Sequence, residues 1–153
     1  PEDYITIAIG GEWPYRTYDN WAKVIERLLA NDKTLNIVFV GSKNGEDTAS
    51  VLSKEFLNFN VKDCVAKFTF KQTAEIIKRS KMLLCCDGGL MHSANAMGTP
   101  VIPLLARLDE NMQLTASLKH IALFDKLDVN NIDFEKICNA YFKATNYFDN
   151  SSS

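Results

Sequence analysis

The chain has 153 residues, 46% hydrophobic and 24% charged, with a net charge of −2. That is enough for one well-packed domain and too little for two of ordinary size. The near-neutral balance argues against a nucleic-acid surface, which needs clustered excess Lys and Arg, and every apolar run is strand-length, too short to cross a bilayer as a helix.

In chain order, Tyr4 to Ile9 is a β-rich run stopped by Gly10-Gly11, and a loop with Trp13, Pro14 and Arg16 follows. Trp21, Val24, Ile25, Leu28 and Leu29 recur at helical spacing, predicting an amphipathic helix that ends near Asn31. Leu35 to Val40 reads as strand two, stopped by Gly41, and Glu46 to Phe56 as helix two with Ala49, Leu52 and Phe56 on one face. Strand three is placed over Val61 to Phe68 and helix three over Gln72 to Ser80. Met82 to Cys86 is an apolar run that ends abruptly at Asp87-Gly88-Gly89; a short helix, Gly98-Thr99-Pro100 and the run Val101 to Leu105 come next. Between Ala106 and Asn131 we expect a short helix and a short strand, and Phe134, Ile137, Cys138, Tyr141 and Phe142 mark a closing helix. Strands alternating with helices across short loops predict an α/β domain, a mostly parallel sheet covered on both faces. It spans residues 1–150, with a polar disordered tail at 151–153. Entering a strand almost at once from Pro1, the chain reads as an excised domain.

Cys64, Cys85, Cys86 and Cys138 include no Cys-x-x-Cys pair, so we expect free, buried thiols in a reducing cytoplasm and no metal site.

The loops after strands one, two and four must open on one edge of a parallel sheet, where such folds bind ligands. They carry Gly10, Gly11 and Arg16; Gly41 to Asp47 with Lys43 and Glu46; and Asp87, Gly88, Gly89 and His92. Glycine amides and a helix start suit a phosphate, Arg16 a diphosphate, and Glu46 ribose hydroxyls. Each residue has a plainer reading. Gly88 and Gly89 fit a tight strand-to-helix turn equally well, Asp87 a helix N-cap, His92 a packed helix residue, and Arg16 and Lys43 solvated surface charges. His120 has no supporting context, and the helix aromatics read as core. No Walker loop and no Gly-x-Gly-x-x-Gly occurs, which removes the main signature of nicotinamide or flavin binding.

Asp87-x-Gly89-x-x-His92-x-Ala94-x-Ala96-x-Gly98-x-Pro100 resembles the signature of the bacterial heptosyltransferases, glycosyltransferase family 9, which commonly read Asp-Thr-Gly-x-x-His, then Ala, then Gly-x-Pro. Gly10-Gly11 with Arg16-Thr17-Tyr18 is similar to the family's glycine loop and Lys-x-Trp, Val40-Gly41 with Glu46 to its second loop, and Val129 to Tyr141 to its closing helix. The resemblance implies a Rossmann-like three-layer domain, the C-terminal, donor-binding half of a GT-B architecture. It also implies inverting transfer from a nucleotide-sugar donor, typically ADP-heptose, to lipopolysaccharide core, in the cytoplasm with peripheral contact at the inner membrane. On this reading Asp87, Gly88, Gly89 and His92 hold the diphosphate with Gly10, Gly11 and Arg16, and Glu46 sits near the ribose. No metal, cofactor or catalytic residue is assigned, because the family's base and acceptor site lie in an N-terminal domain. The chain alone is then an incomplete catalytic unit that binds nucleotide weakly. Gly88 departs from the usual small hydroxyl residue, Arg16 from lysine, Tyr18 from tryptophan, and Leu105 to Asp109 from Gly-Pro-Thr-x-Pro. Two alternatives stand beside it: a fragment of a GT-B-like sugar-nucleotide epimerase, and a non-catalytic α/β binding module.

Overall fold

A computed structural model describes residues 3–107 and 122–151, with the side chains of 147–151 excepted. Six strands form one sheet in the order β3-β2-β1-β4-β5-β6, and all five pairings are parallel. The strands are β1 Ile5–Ala8, β2 Ile37–Val40, β3 Val61–Asp63, β4 Leu83–Cys86, β5 Val101–Ala106 and β6 Leu123–Asp125. The helices are α1 Trp21–Asn31, α2 Glu46–Glu55, α3 Phe70–Arg79, α4 Gly89–Ala96 and α5 Phe134–Ser151, with short 3-10 turns at Pro14–Arg16, Lys43–Gly45 and Val129–Asn131.

Parallel strands are buried on both faces, and alternation along each strand assigns the faces. Ile5, Ile7, Ile37 and Phe39 share one cluster with Trp21, Val24, Ile25 and Leu28 of α1, Leu52 of α2 and Ile137 of α5. Val40, Leu83, Cys85, Val101 and Leu105 meet Ile77 of α3 with Met91 and Ala94 of α4 on the other. The helix aromatics Trp21 and Tyr141 are core, as their spacing predicts, and so is Phe56, which directly follows α2.

Strand three is shorter than expected. The Asp63 carboxylate accepts the Val65 N–H at 2.9 Å, and Ala66 turns to φ 60 while donating its own N–H to Gly41 O at 3.0 Å. That turn ends the ladder at Asp63. Helix α3 starts two residues before the expected Gln72, because Thr69 and Gln72 form a reciprocal capping box. Of the region expected to hold a helix and a strand, the strand is β6. Residues 108–121, with His120, lie outside the described residues, as do Ser152 and Ser153.

All four thiols are free and buried. Burial pushes Cys138 up to about 11 and Cys86 to about 12, and drives Cys85 well above the ordinary thiol range. A thiol that resists ionisation is a poor nucleophile and a poor metal ligand. No group of His, Cys, Asp and Glu among the described residues could hold a metal ion, and no described helix is long and apolar enough to cross a membrane.

Candidate functional site

The site lies where the strand order reverses, between β1 and β4, the crevice in which open α/β sheets take their ligands. Three loops meet there. Gly10, at φ 96, lies against the loop after β2: a Cβ on it would stand 2.6 Å from Asn44 Oδ1 and 2.8 Å from Gly45 Cα. Only a residue without a side chain tolerates both that backbone conformation and that approach. Gly11 is equally confined, its would-be Cβ 2.6 Å from Arg16 O and from Thr17 Oγ1. Gly10 and Gly11 therefore shape the loop that carries Arg16, by packing. Thr17 tightens it further by donating its hydroxyl to Trp13 O at 2.8 Å.

Arg16 joins this loop to the turn after β4. Its Nη1 lies 3.7 Å from Asp87 Oδ2, the arginine side chain 27% exposed and the carboxylate 7%. From the other side His92 Nε2 stands 3.7 Å from Asp87 Oδ1. At these distances the contacts are electrostatic, longer than hydrogen bonds. The Arg16 Nε is buried and has no hydrogen-bond partner among the described residues. A guanidinium donor hidden from water without an acceptor is costly, and an anion entering the crevice would relieve that cost. Arg16 is thus no solvated surface charge. His92 is no packed helix residue either, since 57% of its side chain is exposed.

Asp87 does not cap α4. Gly88 occupies the N-cap and no side chain bonds the helix start, which leaves first-turn amides of α4 for another acceptor. Gly88 is extended, and a Cβ there would meet nothing within 4 Å; at Gly89 it would touch only the Phe70 ring, at 3.5 Å. The turn itself therefore does not require glycine at 88, and the space above it is open.

Glu46 is the first residue of α2, exposed at the same edge, next to the buried Gly45 that packs on Ile9 O. It forms no hydrogen bond or ion pair with Arg16 or Asp87; what places it is the approach of Gly10 to Asn44 and Gly45. Lys43 is exposed in the same loop.

Further side chains of this region have parts that only the fold reveals. Asn130, in the turn after β6, donates to Thr17 O at 2.9 Å and accepts the Asp19 N–H at 2.8 Å, pinning the Arg16 loop from 113 residues away. Tyr15 has the Arg16 guanidinium 5.4 Å from its ring centre and that of Arg107 at 4.0 Å. Arg107 also donates Nε–H to Leu127 O at 2.9 Å. Tyr18, where the resemblance expects tryptophan, is buried against Trp21 and donates its hydroxyl to Ile132 O at 2.9 Å. Burial, more than any other cause, pushes its hydroxyl up to about 12.

A cavity of 880 Å³ lies elsewhere, lined by Asp3, Tyr4, Asn36, Val38, Lys62 and Gln72 among others; none of the candidate site residues reaches it. The candidate crevice at β1 and β4 is open, and it is not this cavity.

A parallel sheet in this order, with a glycine turn and a guanidinium at its switch point, defines the Rossmann-like class of α/β domains. Within that class the chain belongs to glycosyltransferase family 9 (heptosyltransferase), whose family model matches residues 1–139. Solved structures agree on the fold. E. coli ADP-heptose lps heptosyltransferase II is 17% identical with a TM-score of 0.75, over 92% of this chain and 45% of that one. A family 9 glycosyltransferase from Veillonella parvula is 16% identical with the same TM-score and the same coverage. E. coli heptosyltransferase WaaC with ADP is 17% identical with a TM-score of 0.73, over 94% of this chain and 45% of that one. The chain thus spans less than half the length of these proteins. No curated protein matches the sequence significantly.

Proposed function

We propose that this chain binds the nucleotide-sugar donor, ADP-heptose or a close relative, of an inverting glycosyltransferase that builds lipopolysaccharide core. The observation that carries the reading is Arg16: a guanidinium held beside Asp87 with its buried Nε unpartnered, at the mouth of an uncapped helix. Helix-start amides and a guanidinium are the donors that stabilise a leaving diphosphate. Support for ADP comes from one relative, E. coli heptosyltransferase WaaC, solved with ADP and with ADP-2-deoxy-2-fluoro heptose.

In this arrangement the α4 amides and Arg16 take the charge that develops on the diphosphate. Asp87 aims Arg16 and His92, and Glu46 offers a carboxylate to the ribose hydroxyls. Inversion also needs a base on the acceptor hydroxyl. We assign that base, and the acceptor, to the part of the relatives that this chain does not span. The chain by itself binds donor weakly and transfers no sugar; contact with the inner membrane belongs to the same proposal.

Titration with ADP, AMP and UDP, followed by the fluorescence of the exposed Trp13, tests the reading. Saturable ADP binding that Arg16→Ala and Asp87→Ala both weaken is the expected result. No saturable binding, with both variants silent, would favour a non-catalytic module, and sugar transfer by this chain alone would overturn the division of labour.

A further inference from the structure

Arg107 directly follows β5 at the same edge of the sheet, one strand beyond the Asp87 turn, on the side away from Glu46. Its backbone is left-handed, φ 52, a conformation uncommon outside glycine. The side chain is held at two points, by the Nε–H bond to Leu127 O and by the face of Tyr15. The acceptor carbonyl is itself fixed: Asp125 accepts the N–H groups of Leu127 and Asp128 and the Asn131 amide, all at 2.9 to 3.0 Å. The two terminal nitrogens of Arg107 have no partner among the described residues. Tyr15 is shared with Arg16, so two guanidiniums flank one phenol beside a single engaged carboxylate, Asp87. Surface charge seldom accumulates this way, because like charges repel and long side chains lose entropy when pinned.

Resting on the donor-site reading above, we propose that Arg107 is a second diphosphate-binding residue, one that grips the phosphate next to the sugar. Strand order gives the direction. With the ribose at Glu46 after β2 and the first phosphate at the β1–β4 switch point, the chain of the donor runs toward β5. The distal phosphate then arrives at Arg107. Tyr15 is the platform that keeps the two cations apart and aimed. The second cation also offsets Gly88, which offers the diphosphate no hydroxyl.

The test compares ADP with AMP, which lacks the distal phosphate, on the parent chain and on Arg107→Gln, with Arg107→Lys as the variant that keeps the charge but not the planar fork. Arg107→Gln is expected to weaken ADP by about tenfold, the scale of one charge-assisted bond, while AMP changes by less than about twofold and the salt dependence of ADP binding flattens. Arg107→Lys should fall between. If Arg107→Gln weakens both nucleotides equally, or neither, Arg107 is only a loop clamp and the inference fails while the donor site stands. If the parent chain binds neither nucleotide, the donor-site reading falls and this inference with it.

Discussion

Gly45 and Gly88 make a controlled pair for asking which glycines the fold needs and which leave room for a ligand. Gly45 is buried at the end of the 3-10 turn after β2, at φ −102, a conformation that alanine adopts freely. What forbids a side chain there is space. Its Cβ would collide with Ile9 O and stand 2.7 Å from Ile9 C and 3.1 Å from Gly10 N. These are backbone atoms at the end of β1, anchored by the Ile9 N–H to Val40 O bond at 2.9 Å, so no flexible side chain can yield. Overpacking of this kind costs about 1–3 kcal/mol. Near the middle of that range, at roughly 2–4 °C per kcal/mol for a domain of this size, Gly45→Ala should lower the melting temperature by roughly 4–8 °C. Gly88→Ala meets nothing within 4 Å in an extended backbone, and should leave stability unchanged or raise it by about 0.4–1 kcal/mol through the unfolded chain. Thermal unfolding followed by circular dichroism, on both variants without nucleotide, reads the difference. An unshifted Gly45→Ala transition would refute the claim that contact between the β1 and β2 loops shapes the site.

Further expectations concern the same residues. Gly88→Ser should tighten ADP binding by about tenfold, since a hydroxyl bonded to a charged group contributes about 1.5–3 kcal/mol; calorimetric titration reads it, and an unchanged or weaker affinity would show that the space above Gly88 does not face the phosphates. Tyr18→Phe leaves Ile132 O without its buried donor and should cost about 1–3 kcal/mol in urea unfolding. Alkaline stability follows from the buried acids. Cys86, ordinarily at 9.0, is held near 12, and Tyr18, ordinarily at 10.0, also near 12, both chiefly by burial. Between those values the unfolded chain has released protons that the folded chain keeps, so stability falls as pH rises from about 9 to about 12. A unfolding midpoint constant across that window would contradict the burial of both groups.

The alternation of strands and helices is legible because buried parallel strands must be apolar runs and their covering helices must repeat at helical spacing. Convergence of the Gly10, Glu46 and Asp87 loops follows from parallel direction alone, and Arg16 meeting Asp87 is an instance of it. The Thr69-x-x-Gln72 box that starts α3 is equally written in the sequence, although apolar spacing draws the eye to a later start. Strand three ends early through the Asp63 side chain and a left-handed Ala66, a local competition that periodicity does not register. Asn130 and Arg107 are of another kind. Their parts depend on contacts with Thr17, Tyr15 and Leu127, which exist only once β5 and β6 lie beside the β1 loop. Gly88 carries the sharpest lesson: its place in a strand-to-helix turn suggests a need for glycine, yet a Cβ there would meet nothing within 4 Å.

The central claim, a donor diphosphate seated on the Asp87 turn, is tested most directly by amide chemical-shift mapping as ADP is added. The account predicts saturable shifts largest at Gly88 to His92 and at Arg16, with the Asn60 to Cys64 amides beside the 880 Å³ cavity unmoved. Shifts centred on that cavity, or none at saturating ADP, would contradict it.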